Sequence, residues 1–293
     1  HIVLSDMNEG IDRILDMVGK DEAYDGLFVR AGDIAGVASL TALLVVVDAH
    51  IPHILADPTL LERIPKIVVI DHHRRSENFV KNPLLVYIET ASSSASELVT
   101  ELLMYFGDKV RPTRLDATAL YSGVVVDTKN FNVGAGVRTF DAAAYLRRAG
   151  ADPVLVRALF QSDYETTVAL ARAKANAEYF AGGLIVGSIP ERLANGQIIA
   201  AQAADGMLRV DGVRMSIYVF QLPGDAVGIS ARSTGELNVQ VIMEAFGGGG
   251  HANVAGAQVK GVPLSVVRGN VVERAREYIE ESDKHESHTA GGR

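Results

Sequence analysis

Three short apolar runs in this chain each end in an aspartate, and that recurrence limits the folds open to it. Leu43–Val47 ends at Asp48, with His50 two residues on; Lys66–Ile70 ends at Asp71-His72-His73-Arg74; Val124–Val126 ends at Asp127-Thr128. Short runs rich in valine and isoleucine, without polar alternation, suit strands buried in a parallel sheet. A further strand is expected near 27–30. Between the runs, apolar residues recur at helical spacing: Ile11, Ile14, Leu15 and Val18 in a first helix from Met7 to about Gly19, then Leu98, Leu102 and Met104 in a helix over Ala95–Phe106. Ser92-Ser93-Ser94 offers hydroxyls to cap the latter, and a helix over Thr139–Arg148 closes at Gly150. Leu115–Val126 begins like a helix and ends in a β-branched run, so both states stay open. Alternating strands and helices imply the α/β class, with a doubly wound parallel sheet. In such sheets ligands collect outside the carboxyl ends of the strands, where these aspartates stand.

The 293 residues suit two domains. A helical pattern over 153–180 meets Gly182-Gly183, which puts the expected boundary between 180 and 181. Beyond it, 184–189, 197–203, 213–221 and 226–231 read as strands, and helices are expected near 236–246 and 264–281. This describes a smaller α/β domain with a mixed sheet over 181–281. The polar segment 282–293 is expected to be a frayed, disordered tail.

Composition removes several function classes. With no cysteine, disulfides and thiolate metal sites are excluded, which suits a reducing cytoplasm. No apolar run approaches the roughly 20 residues that cross a bilayer, and no basic-then-apolar leader is seen, so no membrane contact is expected. A net charge of −8 argues against binding duplex nucleic acid. Small phosphorylated ligands stay open, because Arg74, Arg75 and Arg232 together with a divalent ion can offset their charge.

Carboxylates and imidazoles gathered at one sheet edge are a ligand set for Mn, Mg or Zn. Asp48, His72 and Asp127 are the candidate ligands, Asp48 suited to bridging two ions. Asp71, His73 and Arg74 are the catalytic candidates: His73 beside the ligands or on the phosphate, Arg74 as a guanidinium fork for phosphate oxygens. The competing reading is that strand-end aspartates only cap helices. His1, His53, His285 and His288 lack such a setting and read as solvated. In the second half, Phe246-Gly247-Gly248-Gly249-Gly250-His251 lacks Cβ atoms over four residues, so its N–H groups could cradle an anion. A flexible linker is the alternative. His251 would donate to phosphate or base, and Ser230-Ala231-Arg232-Ser233 could supply a charge-assisted contact.

On these motifs the chain resembles the DHH phosphoesterase family with its DHH-associated second domain. Asp71-His72-His73-Arg74 is similar to the motif that names the family, and Gly247–His251 through Ala255-Gly256 to the glycine-rich motif of the second domain. Asp127-Thr128-Lys129-Asn130-Phe131 and Arg138-Thr139-Phe140-Asp141-Ala142-Ala143 resemble the GdpP branch of bacterial cyclic-di-AMP phosphodiesterases. The resemblance implies manganese-dependent hydrolysis of cyclic di-AMP to pApA. It makes Asp48, His72 and Asp127 metal ligands, His73 and Arg74 phosphate-side groups, and Arg232, Gly249, Gly250 and His251 nucleotide contacts, with Ser233 beside them. It also favours a helix leading into Asp127. The family's first motif, His-x-x-x-Asp-x-Asp, is missing before Asp48; Ser5-Asp6-Met7-Asn8 only echoes it. The chain therefore reads as a fragment that is N-terminally truncated in its first domain, weakly active or inactive alone, from a membrane-anchored parent. The partners expected are a cyclic dinucleotide or a short oligonucleotide, and a homodimer is left open. Two rivals remain: an oligoribonuclease or pAp phosphatase of the same fold, and a non-catalytic nucleotide-binding module.

Overall fold

The computed structural model describes residues 1–4, 9–34, 39 and 41–290 and divides into two units, His1–Gln161 and Ser162–Arg293. In the first, β1 (Ile2–Leu4), α1 (Glu9–Val18) and β2 (Phe28–Arg30) form a parallel pair with its crossover helix. Then β3 (Leu43–Val47), α2 (Leu60–Arg63), β4 (Lys66–Asp71) and β5 (Leu85–Ile88) build a parallel sheet in the order β3-β4-β5. Val46 of β3 and Ile67 and Val69 of the central β4 enter one core with Val80. Burying each such side chain contributes about 1.5–3 kcal/mol. The expectation of fully buried strands fails for β3, whose Leu43, Val45 and Val47 are exposed. Its other face, carrying Leu44 and Val46, is the one that packs.

Next come α3 (Ala95–Phe106), α4 (Arg114–Asp127), α5 (Val137–Arg148) and α6 (Pro153–Leu159). The ambiguous segment is helical because Thr113 and Asp116 close a capping box: each side chain accepts the other's backbone N–H, at 3.1 and 2.9 Å. Ala117 then packs with Leu146 and Ala151, so the valine run finishes a helix and not a strand. Asp127 is its last residue.

The second unit holds α7 (Tyr164–Ala175), β6 (Glu178–Phe180), β7 (Leu184–Ile189), α8 (Gly196–Met207), β8 (Met215–Gln221), β9 (Ala226–Ser233), α9 (Val239–Glu244), β10 (Gly249–His251), β11 (Val254–Lys260) and α10 (Leu264–Ala290). Its sheet runs β10-β11-β9-β8-β7-β6, with β7 and β8 parallel and the other pairs antiparallel. Met215, Ile217 and Val219 of β8 pack with residues of α9 and α10; Tyr218 and Phe220, on the other face, pack with α7 and α8. The sheet is covered on both sides.

Three expectations need correction. The helix over 153–180 is broken, because the Asp163 carboxylate accepts the Thr166 N–H at 2.8 Å and starts a new helix, α7, which belongs to the second unit. The segment 197–203 is helix α8: Ile199, Ala200, Ala203 and Ala204 are buried at helical spacing, a period that short apolar runs hide. The helix expected to end at 281 continues to Ala290; no glycine or proline lies between 281 and 290, and Asp283 accepts from Arg214 at 2.9 Å. The first-motif echo at Ser5–Asn8 lies outside the described residues. Among the described residues no helix is long and apolar enough to cross a membrane.

Candidate metal centre

At the carboxyl end of β3, Asp48 turns the chain with φ +59° while its N–H still donates to the Ile70 carbonyl at 3.0 Å. This left-handed region is one that aspartate and asparagine tolerate better than other side chains with a Cβ. The turn sets the Asp48 carboxylate 3.4 Å from His72 Nε2 and 3.9 Å from His73 Nδ1. Asp48, His72 and His73 each place one donor atom within 4.8 Å of the others.

Asp71, the last residue of β4, is 0% exposed and is the hub behind this group. Its Oδ1 accepts from the backbone N–H of His72 (2.7 Å) and His73 (3.1 Å) and from His73 Nδ1 (2.8 Å). Its Oδ2 accepts from His50 Nδ1 at 2.5 Å. Burial pushes the Asp71 carboxyl up, yet the hydrogen bonds from His50 and His73 outweigh it and hold the group below the ordinary value. A carboxylate so enclosed reaches no substrate. Sequence marked Asp71 as a catalytic candidate; the structure places it behind the candidate ligands, with both oxygens engaged by His50, His72 and His73.

His50 had no role assigned from the sequence, although its place two residues after Asp48 was the available signal. It is buried, stacks on Phe79 at 5.3 Å and accepts the Ser76 N–H on Nε2 at 3.0 Å. It thereby ties the loop after β4 to Asp71. On that loop Arg75 lies 4.5 Å over the Phe79 ring, and Arg74 is exposed. The His73 side chain is 57% exposed, with Nδ1 engaged on Asp71.

Asp127 stands outside the triplet, but its carboxyl is raised by burial and then by the charge of Asp48, and lowered by His72 and His73. Asp48 is raised by burial too, against the lowering effect of the same two histidines. The strand end and the helix end are thus electrostatically coupled. A carboxylate burdened by the charge of a second, with imidazole nitrogens beside them, is a donor set that a divalent cation relieves. After Asp127 the chain makes three consecutive left-handed residues, Lys129, Asn130 and Phe131, held by the Phe131 N–H on Thr128 Oγ1 at 2.9 Å.

In the second unit the glycine run is not a free loop. Gly249, Gly250 and His251 pair with Gly256, Ala255 and Val254 as a hairpin. A Cβ on Gly250 (φ +145°) would sit 2.5 Å from the Val254 carbonyl oxygen and 2.6 Å from Ala255 Cα, whereas one on Gly249 meets nothing within 4 Å. Close strand approach is thus a reason for glycine at 250. Gly250→Ala is expected to cost about 3 kcal/mol in urea unfolding, and Gly249→Ala less than about 0.5. A cavity of about 460 Å³ is lined by Arg232, Ser230, Gln197, Gln258, Gly247 and Gly248, among others; Ser233, Gly249, Gly250 and His251 are not on its wall. Ser233 is buried, its N–H donating to the Asn253 carbonyl at 3.0 Å and its hydroxyl to the Ala252 carbonyl at 3.4 Å. The Arg232 guanidinium donates to Ser230 Oγ (3.2 Å) and the Ala231 carbonyl (3.0 Å), and Nε lies 3.4 Å from Asp205.

Residues 3–124 match the DHH family, N-terminal domain, and residues 182–282 match the DHHA1 domain. The chain is 48% identical over 224 residues to the cyclic-di-AMP phosphodiesterase PdeA of Listeria monocytogenes, an alignment covering 76% of this chain and 34% of that protein. It is 41% identical over 271 residues to the cyclic-di-AMP phosphodiesterase GdpP of Geobacillus thermodenitrificans, covering 92% of this chain and 41% of that one. It thus spans well under half the length of these relatives. The fold is shared with an exopolyphosphatase-related protein from Bacteroides fragilis, at TM-score 0.69 and 17% identity, over 93% of this chain and 86% of that one. With Asp71-His72-His73-Arg74 closing β4 and a DHHA1 domain following a DHH domain, this chain belongs to the DHH family.

Proposed function

We propose that this chain is a metal-dependent phosphodiesterase module that opens cyclic di-AMP to linear pApA. The observation that carries the reading is the convergence of Asp48, His72 and His73 within 4.8 Å, with Asp127 coupled to them. Asp48, His72 and Asp127 would hold the cation, with Mn2+ favoured by the mixture of carboxylate and imidazole donors. When bound, such an ion supplies Lewis acidity toward the phosphodiester.

The residues of the chain do the rest. With its Nδ1–H held on the Asp71 carboxylate, His73 keeps Nε2 as its remaining polar atom, on a side chain open to solvent. As an imidazolium, His73 would carry a second proton on that nitrogen, to donate to a phosphate oxygen or to hand to the departing 3′-oxygen. In the balanced step, water adds to phosphorus, the P–O3′ bond breaks, the 3′-oxygen takes up a proton and a 5′-phosphate remains. Arg74 would bind the phosphate, and Arg232 with the cavity beside it would hold nucleotide.

Incubation of the chain with Mn2+ and cyclic di-AMP should release pApA slowly, with no release after chelation or in His72→Ala. Chromatography of the products checks this. Nucleotide binding with no metal-dependent hydrolysis would replace the reading with a binding module. Faster turnover of short oligoribonucleotides or of pAp would move the substrate class.

A further inference from the structure

Glu97 is a carboxylate 1% exposed, on the first turn of α3, and neither the metal centre nor the glycine hairpin accounts for it. A glutamate three residues after a serine N-cap normally reaches back to the N–H of the cap itself. Here Ser94 Oγ does accept the Glu97 N–H at 3.0 Å, but the Glu97 side chain reaches one residue further. Its Oε2 accepts the Ser93 N–H (3.2 Å), the Ser93 hydroxyl (2.5 Å) and, from α5, the Thr139 hydroxyl (2.6 Å). Thr139 is itself buried, and its hydroxyl accepts the Gly136 N–H at 3.0 Å, so both helices are tied to this oxygen.

The Ser93 N–H belongs to the same peptide unit as the Ser92 carbonyl, and that unit is rigid and planar with the two groups pointing oppositely. The Ser92 carbonyl oxygen lies 3.3 Å from His72 Nδ1. A carbonyl only accepts, so His72 carries a proton on Nδ1, and Nε2 is the nitrogen turned toward Asp48, 3.4 Å away. Anchoring one end of the peptide on a buried anion fixes the direction of the other end and polarises it. We infer that Glu97 is a positioning residue for the metal centre, acting through the Ser92–Ser93 peptide to hold His72 in the tautomer and orientation that bind a cation by Nε2.

Metal-ligating histidines commonly rest their second nitrogen on a carboxylate or carbonyl, and losing such a partner costs about 10–100-fold in metal affinity. The inference rests on the reading of His72 as a ligand, and the experiment separates the two. The full chain and its His72→Ala, Glu97→Gln, Glu97→Ala and Thr139→Val variants are titrated with Mn2+ alone, following free Mn2+ by electron paramagnetic resonance. The imidazole nitrogens of His72 are observed by 15N NMR in the metal-free protein. We expect Glu97→Ala to weaken Mn2+ binding by about tenfold or more, Glu97→Gln and Thr139→Val by less, and His72 to lose its single Nδ1–H tautomer in step. A merely structural Glu97 lowers the melting temperature and moves neither readout. Unchanged Mn2+ affinity and tautomer in folded Glu97→Gln, with binding lost in His72→Ala, overturns the inference alone. Unchanged binding in His72→Ala overturns the metal reading, while the tautomer measurement still decides the contact. Should Glu97→Ala not fold, the isosteric glutamine variant and Thr139→Val carry the test.

Discussion

Asp48→Asn is expected to keep the fold and to lose divalent-cation binding by more than about 100-fold, since even a partner behind a ligand costs 10–100-fold. Asparagine is the informative replacement because residue 48 sits at φ +59°. Alanine there would add roughly 1–2 kcal/mol of backbone strain and blur the result. The amide keeps the size and the turn, and removes the negative charge that His72 Nε2 faces at 3.4 Å. A second readout lies at Asp127, whose carboxyl is raised partly by the charge of Asp48 and should fall toward its ordinary value in the variant. The metal-free wild type should also lose stability as pH rises from about 4 through the raised carboxyl range of Asp48. The native state holds that proton more tightly than the unfolded chain does. Asp48→Asn removes this loss. Mn2+ titration and urea unfolding across pH check both statements, and full Mn2+ affinity in the variant would displace Asp48 from the site.

The largest stability effect is expected at Asp71. Asp71→Ala should cost about 3–5 kcal/mol, since each buried donor left without its acceptor costs about 1–3 kcal/mol. The arithmetic follows from its contacts: the backbone N–H of His72 and His73 and a ring nitrogen of each of His50 and His73 lose their acceptor together. Because the native carboxyl is lowered, its contribution is fully present above about pH 4 and disappears as pH falls through the lowered native value. Wild type and variant should therefore converge in stability under strong acid. Denaturant midpoints between pH 7 and pH 2 measure this. A difference that stays constant across that range would show that packing, not the ionised hub, is what the mutation removes.

The chain announced some of this plainly. Runs such as Leu43–Val47 and Lys66–Ile70 are legible as strands, because β-branched residues without helical period have few other places to go. Their terminal aspartates then fall at one sheet edge by topology alone. Asp127 was legible as a candidate, but local pattern left helix and strand both open before it; the family resemblance favoured the helix that the Thr113–Asp116 box starts. Segment 197–203 failed for the same reason in reverse: seven apolar-rich residues do not reveal their period until a sheet face selects Ile199, Ala200 and Ala203. The glycines were read as an anion cradle, whereas at Gly250 the neighbouring strand itself requires the missing Cβ. Glu97 drew no notice, because a glutamate after Ser94 looks like an ordinary helix start.

Residue identity by itself determined the family, the strand ends and which side chains can hold a cation or a phosphate, because those depend on local pattern and on the chemistry of single groups. Tertiary structure alone decided which of those groups meet and which serve them from behind. Asp71 became a buried hub, and His50 and Glu97 became its counterparts behind the loops after β4 and β5. Hydrogen bonds between residues 20 to 42 positions apart are set by how strands and helices stack, and no local pattern encodes them.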